Sequence, residues 1–442
     1  MKTFRYFAYM FVFFFVFSCA NDSFNLDNSL TQRSLTKKYS ALNGEIKIAV
    51  ISDPHLMAQS LLVKDGSAFQ AYLAKDPKLL EYSSTIFEAT VQKIISQKPD
   101  LVLISGDLTK DGEMISHETV ARMLRKLTLN GIKVVITIGN HDVNNPESYK
   151  YIGEKTVLLP NIKANRIPQI YADFGYRDAI SKDPNSLSFV SEPIKDLWII
   201  SIDANKYDQD LTTNDWSGAI KSGTMTWIKE QLANAQLNGK TVIGMMHHGL
   251  VEHYAGEQQI DPGYVVDNWE AMSDELIDAG LKIIFTGHYH ATDITKRTHG
   301  DKFVFDIETG SLVSYPCTYR LLTIIGNNFA FEPQTTTNLL GPDFDSIAKT
   351  FQATHLDGYF QYVLANMYGV PEPYAGIFAP YFENGAMAHF AGDETPTLEV
   401  LSHIGDVQSL STQLGMVLGS LWTDINTPDN TVTINMATGA IE

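Results

Sequence analysis

The chain has 442 residues, 44% of them hydrophobic and 19% charged, a balance that suits packed globular structure and excludes a disordered polymer. With 51 acidic against 33 basic residues the net charge is -18, which repels polyanions and argues against nucleic acid as the main ligand. It leaves room for a small phosphate ester drawn in by bound metal ions.

At the N-terminus Lys2 and Arg5 precede the apolar stretch Tyr6–Phe17, and Ser18-Cys19-Ala20 follows. This pattern predicts a signal peptide over 1–18, with an apolar core too short to span a bilayer as a relaxed helix. Val16-Phe17-Ser18-Cys19 resembles the lipobox of bacterial lipoproteins. It implies a lipidated Cys19 that attaches the protein to a membrane of the bacterial cell envelope, on its extracytoplasmic side; ordinary secretion is the alternative. The other cysteine, Cys317, then has no partner, so stability rests on packing. Residues 19–44, rich in Asn, Ser and Asp, read as a tether.

Glu45–Asp53 is the first strand expected, broken by Pro54-His55, and a loop runs to about residue 80. Thr85–Gln97 predicts a helix with Phe87, Val91, Ile94 and Ile95 on one face and a Thr85–Glu88 capping box. Asp100–Asp107 is a second buried strand, Ser116–Leu129 a second helix, and Lys133–Asp142 (KVVITIGNHD) a third strand that ends in Gly139-Asn140-His141-Asp142. After the mixed stretch Asn144–Arg177 come the apolar runs Leu197–Asp203, Thr241–His248 and Leu281–His290, with helices at Thr224–Ala235 and Met272–Ala279. Lys302–Glu308, Tyr319–Ile325 and Asn328–Glu332 read as later, antiparallel strands. The alternation is an α/β signature. Composition changes near Asn338–Asp343; Phe351–Met367 is helical in phase, prolines 371, 373 and 380 interrupt, Thr397–Trp422 is helical, and Thr431–Ile434 is a terminal strand. The organisation expected is a catalytic domain at 45–337 and a helical accessory domain at 338–442.

The chemistry recurs where apolar runs break. Five strand ends supply, in order, Asp53 and His55, then Asp107, then Asn140 with His141, then His247 or His248, then His288 and His290. Extended backbone at Asp53-Pro54-His55 and His288-Tyr289-His290 would point residues i and i+2 to one face, so that each pair grips one cation. Glycines before Asp107, Asn140 and His288 leave room for close approach. Any one block is commonplace, since a strand-ending Asp is more often a turn residue. Together they make seven donors, too many for one catalytically open ion and enough for two ions sharing a carboxylate. Mixed N and O donors without thiolate suit Mn, Fe or Zn. The chemistry implied is two-metal hydrolysis of a phosphate ester by a metal-activated hydroxide.

DPH, GDLTKDGE, GNHD, MMHHG and GHYH, in this order, resemble the calcineurin-like metallophosphoesterases over roughly residues 45–325. The resemblance implies an α/β/β/α four-layer sandwich of two mixed sheets, here followed by the helical C-terminal domain. It implies that Asp53, His55 and His290 hold one metal, that Asp107 bridges, and that Asn140, His247 and His288 hold the other. It also implies that His141 contacts the phosphate and assists the leaving oxygen, with Asp142 orienting His141. Purple acid phosphatases carry a metal-binding Tyr where Lys110 stands, and protein Ser/Thr phosphatases carry Asp-Arg-Gly after the bridging Asp; neither fits Leu108–Gly112. Gly106–Glu113 instead looks like the bacterial cyclic-nucleotide and glycerophosphodiester phosphodiesterase branch, so a small phosphodiester such as a cyclic nucleotide is expected. A phosphomonoesterase or a phospholipid or nucleotide-sugar hydrolase is the alternative, and a non-enzymatic binding module a third reading.

Loops 56–80, 143–170, 204–223 and 249–268 are expected to rim the pocket. Tyr207, Trp216, Tyr254 and Tyr264 either stack on a base or sugar or pack on the core. Asp203 and Asn205 either line the pocket or, for Asp203, cap a strand. His117 and His253 read as surface residues, and Cys317 as a buried small hydrophobe.

Overall fold

A computed structural model describes residues 42–209, 212–392, 394–423 and 428–442; the expected signal peptide, Cys19 and nearly all of the tether lie outside the described residues. In chain order the strands are β1 (Leu42–Ile51), β2 (Leu62–Lys64), β3 (Leu101–Ser105), β4 (Lys133–Thr137), β5 (Tyr149–Ile152), β6 (Lys155–Leu158), β7 (Ser181–Lys182), β8 (Phe189–Ile194), β9 (Leu197–Ile202), β10 (Thr241–Met246), β11 (Ile283–Thr286), β12 (Asp293–His299), β13 (Lys302–Glu308), β14 (Thr318–Gly326), β15 (Asn328–Thr335), β16 (Val432–Asn435) and β17 (Ala440–Ile441). The helices are α1 (Ser67–Leu73), α2 (Ser83–Gln97), α3 (Met114–Leu129), α4 (Ile167–Ile170), α5 (Ser222–Leu237), α6 (Glu257–Ile260), α7 (Trp269–Ala279), α8 (Phe344–Asn366), α9 (Glu372–Ala391), α10 (Leu398–Leu410) and α11 (Thr412–Ser420).

Two mixed sheets of seven strands carry the fold, in the orders β17-β16-β15-β14-β1-β3-β4 and β12-β13-β11-β10-β9-β8-β7. The apolar runs of β3, β4, β9, β11 and β13 are continuous because both faces of these strands are buried. Along β9, Leu197 and Ile199 join the core shared with the first sheet, while Trp198, Ile200 and Ile202 join a second core with Trp227 and Ile228 of α5 and Leu276 and Ile277 of α7. Helices α2 and α3 bring Phe87, Val91, Val120 and Leu124 to the first core, completing the four layers. Strands β1, β3 and β4 run parallel, as do β9, β10, β11 and β13. Their carboxyl ends therefore lie at common sheet edges, where open α/β sheets place their ligands.

Several expectations change. The Thr85–Glu88 capping box is not formed: α2 begins at Ser83, and Glu88 instead accepts both bonds from Lys126 at 2.5 and 2.6 Å. Strands β8 and β12 were not foreseen; β8 contains Pro193 beside a bulge, and β12 (DITKRTH) is too polar to read as a strand. Loops 56–80 and 143–170 contribute a small third sheet, β2-β5-β6. Pro380 does not interrupt α9, because Ala375, Phe378, Phe382 and Ala386 bury an apolar face that outweighs one missing N–H. The helical stretch expected over Thr397–Trp422 breaks at Ser411, whose side chain caps α11 by accepting from the Leu414 N–H. After α11 the chain returns to the first sheet, where β16 pairs with β15. Among the described residues no helix is long and apolar enough to cross a membrane.

His117 and His253 are buried rather than on the surface. His117 bonds the Tyr171 hydroxyl (2.7 Å) and the Asp142 carbonyl (2.9 Å). His253 sits among carboxylates: Nδ1 lies 2.8 Å from Asp293, and Nε2 lies 3.5 Å from Asp306 and 3.3 Å from Glu308. Burial opposes its charge, but Glu308, Asp293 and Asp306 raise its pKa well above 6.5. Glu257 accepts the His253 backbone N–H at 2.7 Å, and burial lifts its carboxyl from 4.5 to about 7 against the pull of His253 and His389.

The folded chain thus holds the Glu257 proton longer than the unfolded chain, so this group's contribution to stability falls as pH rises from 4.5 through about 7. Glu257→Gln removes that titration. Urea unfolding should show the parent losing about 2–3 kcal/mol more than the variant between pH 5 and pH 8.

Candidate metal centre

The expected i, i+2 logic fails at both paired blocks, because the backbone there is not extended. Asp53 and His55 have φ of 49° and 35°, Asp107 45°, and His288 and His290 77° and 70°. Left-handed conformations at non-glycine residues are costly and persist where the surroundings over-determine them. Here the loops brace one another: Asp53 N–H donates to the Gly106 carbonyl, His55 N–H to that of Asp107 and Leu56 N–H to that of Leu108. Gly287 N–H donates to the His247 carbonyl.

The seven predicted donors converge. Asp53 Oδ1 lies 3.5 Å from His55 Nε2 and 3.4 Å from His290 Nε2, and the two ring nitrogens are 3.2 Å apart. His247 Nε2 lies 3.2 Å from Asp107 Oδ2 and 3.2 Å from Asn140 Oδ1, and His288 completes a group with Asp107 and His247. Asp107 Oδ2 is also 3.4 Å from His55 Nε2, so it stands between the two groups. Atoms ligating one tetrahedral ion at typical bond lengths are roughly 3.3–3.6 Å apart, close to these separations. Two buried atoms here, Asp53 Oδ1 and His288 Nε2, have no hydrogen-bond partner. The chemistry of the set and its orphaned inner atoms fit a binuclear divalent metal centre.

The outer atoms are tied so that the inner ones face the cluster. Asp53 Oδ2 accepts from Ser52 Oγ (2.5 Å) and the His288 N–H (3.0 Å). His247 Nδ1 donates to the Ser105 carbonyl at 2.9 Å, which turns Nε2 toward Asp107 and Asn140. His290 Nδ1 bonds Ser314 Oγ at 2.8 Å. Burial would raise both aspartates, yet the surrounding imidazoles, His247 foremost, hold Asp53 and Asp107 well below the usual carboxylate range. Burial keeps His288 well below 6.5 and His55 at about 3, so both rings are neutral. A Cβ on Gly139 would fall on the Asp107 carboxylate, and one on Gly106, itself at φ 103°, would come within 2.5 Å of His247 Nδ1. Those two positions require glycine.

His247 rather than His248 joins the cluster; His248 Nε2 points to the Trp216 carbonyl at 3.1 Å. His141 lies at the edge, its N–H donating to Asp107 Oδ1 (2.9 Å) and its Nδ1 held by the Lys110 carbonyl (2.7 Å) and Asp111 Oδ1 (2.8 Å). Burial and Lys78 oppose its charge, while Asp107 and Asp111 raise its pKa. The expected Asp142–His141 contact is not made. Asp142 instead accepts from the N–H groups of Gly139, Leu108 and Thr109 and from the Thr109 hydroxyl, at 2.8–3.0 Å, clamping two loops together. Asp111 holds the position assigned to it. Sequence reasoning passed over Asp111, Ser314 and Lys78, whose buried Nζ lies 3.4 Å from His55 Nδ1 and 3.0 Å from Asp76. An Asp-Gly pair is an ordinary turn sequence, and an isolated Lys or Ser in a loop carries no signal.

A cavity opens over the cluster. Trp216 and Tyr264 line it, 5.1 Å apart between ring centroids, and Tyr289 stands 4.5 Å from Tyr264. Tyr207 and Tyr254 are buried instead, donating to Asp203 (3.0 Å) and Asp261 (2.6 Å). Asp203 also accepts from the N–H groups of Leu187 and Asn205, which is the capping reading, and neither Asp203 nor Asn205 lines the cavity. Loop 143–170 contributes nothing to its walls, whereas α8, α9 and α11 do.

A four-layer α/β sandwich carrying two Asp/His groups at its strand ends is the architecture of a dinuclear phosphoester hydrolase. The family profile described as calcineurin-like phosphoesterase matches residues 46–292, and the chain belongs to that family of phosphoric ester hydrolases. It is 20% identical over 250 residues to "Probable cyclic nucleotide phosphodiesterase" of Synechococcus sp. (strain WH7803), covering 55% of this chain and 74% of the relative. A protein of the same name from Ruthia magnifica subsp. Calyptogena magnifica is 40% identical over 55 residues, 12% of this chain and 22% of its own. Among solved structures, a dimetal phosphatase from Danio rerio superposes with a TM-score of 0.46 at 13% identity, covering 66% of this chain and 96% of the other. A purple acid phosphatase from yellow lupin gives 0.42 at 12%, covering 67% and 52%.

The two acidic residues near His141 should separate by their variants. Asp142→Asn sets an amide against N–H donors and should lower the unfolding free energy by about 2–4 kcal/mol, measured by urea titration. Asp111→Asn should lower kcat some 10- to 100-fold, measured on a phosphodiester, because the His141 ring loses its anchor.

Proposed function

We propose that the cluster is a dinuclear centre hydrolysing a small phosphodiester. In this reading Asp53, His55 and His290 surround one divalent ion, Asn140, His247 and His288 the other, and Asp107 serves both. The observation that carries it is the place of Asp107, which groups with His247 and His288 and also lies 3.4 Å from His55 of the other set. When bound, such ions supply Lewis acidity at the phosphoryl oxygens and a nucleophile at neutral pH. His141, with Nδ1 tied to Asp111, presents Nε2 to the cavity, where it protonates the departing oxygen. Lys78 adds positive charge beside His55 for the phosphate.

Cyclic nucleotides are the diester class that the two curated relatives' names support, and Trp216 and Tyr264 offer ring faces beside His288. The lipobox-like Val16–Cys19 supports placing this activity at the bacterial envelope.

Chelation should abolish hydrolysis of bis-p-nitrophenyl phosphate, and added Mn²⁺ should restore it. Asn140→Ala should lower kcat/KM at least 100-fold with the fold intact by circular dichroism; full activity in that variant would overturn the assignment.

A further inference from the structure

The cavity has two unlike ends. At one end stand Asp107, Asn140, His141, His288 and His290 with Lys75 and Lys78. The other end is built by α8, α9 and α11, and its walls are Leu364, Phe382, Ala386, Phe390, Val417 and Leu421. The C-terminal helices place no charged side chain on the cavity. Their one amide there, Gln352, is already used: Nε2 donates to the Pro77 carbonyl and Oε1 accepts from the Tyr315 N–H. A base edge or a sugar reaching this end would find the Tyr359 and Tyr368 hydroxyls with the Asp261 carboxyl near them, and otherwise hydrocarbon.

A second observation concerns the outside of the same helices. Exposed apolar side chains stand on them: Ile347 and Tyr362 on α8, Tyr374 and Ile377 on α9, and Met416 on α11. Helices apolar both toward the cavity and toward solvent suit an amphiphile better than a polar metabolite.

We propose that the substrate is a phosphodiester carrying a linear hydrocarbon chain, with the diester at the Asp/His cluster and the chain between α8, α9 and α11. This rests on the phosphodiesterase reading and narrows its substrate away from nucleotides. The chain gains affinity by leaving water for a wall of aliphatic and aromatic carbon, a gain that grows with each methylene until the space is filled.

The test is a series of n-alkyl 4-nitrophenyl phosphates, from methyl to dodecyl, assayed with Mn²⁺ below their micellar concentrations. We expect kcat/KM to rise up to roughly fourfold per methylene over the first several carbons and then to level off. Ala386→Trp, or Val363→Trp should that variant not fold, should cut the dodecyl-to-methyl ratio at least tenfold. Equal turnover of methyl and dodecyl esters would overturn the inference and leave the phosphodiesterase reading standing. A binding arm needs no turnover: 11-(dansylamino)undecanoic acid should brighten on the chelator-treated protein and be displaced by dodecyl phosphate but not by AMP. Should no diester be hydrolysed, the phosphodiesterase reading falls and this arm decides alone, with absent probe binding overturning the chain site. Hexadecyl 4-nitrophenyl phosphate in phosphatidylcholine vesicles separates the sources. Faster turnover there than for monomeric dodecyl ester marks a membrane lipid, and the reverse a soluble amphiphile.

Discussion

Everything in this structure answers to the crowding of two carboxylates, one amide and four imidazoles around a single buried point. Donor atoms 3.2–3.5 Å apart, with lone pairs turned toward one another, repel unless cationic charge stands among them. Such a group of atoms cannot be assembled by one flexible loop. The seven donors come from five separate strand ends, and the strands are fixed in two packed sheets. The left-handed backbone at Asp53, His55, Asp107, His288 and His290 records the cost of aiming these side chains.

The layer behind the donors explains how that cost is met. Four outer atoms have fixed partners: Ser52 for Asp53, the Ser105 carbonyl for His247, Ser314 for His290, Asp111 for His141. Asp142, four-fold hydrogen-bonded, holds the loops after β3 and β4 at a fixed separation, and Gly139 and Gly106 let them approach closely. The imidazolium of His253 and its carboxylates lie under the loop that follows β10 and beside the strands β12 and β13, supporting the side of the site that bears His247 and His288.

Much of this was legible in the sequence, for physical reasons. Doubly buried strands announce themselves as unbroken Val/Ile runs, and a run that breaks into Asp, Asn or His marks a site, so the order of strands and all seven donors could be read. Their backbone conformation could not, since a positive φ at Asp or His leaves no trace in residue type. Asp142 was misread because the resemblance implied that it orients His141, whereas its carboxylate is taken up by the N–H groups of Gly139, Leu108 and Thr109. His117 and His253 were misread because burial of a histidine depends on partners, Tyr171 and Asp293, that lie 54 and 40 residues away. Strands β8 and β12 were hidden by a proline and by polarity. The part played by α8–α11 in walling the cavity depends on tertiary placement alone, which no local pattern encodes.

Those helices enter and leave the fold at one place. The chain departs from β15, runs through α8 to α11, and comes back as β16, the antiparallel neighbour of β15 in the same sheet. Thr336 ties the exit to the Cys317 carbonyl, and Asp429 receives the Ile294 N–H at the return. The helical segment is thus an overgrown hairpin connection, stapled at both feet, rather than a flap on a single hinge. It can loosen as a body without swinging aside. It is also a replaceable part: a short turn joining β15 to β16 would excise the roof and leave every strand of both sheets, and every donor, in place.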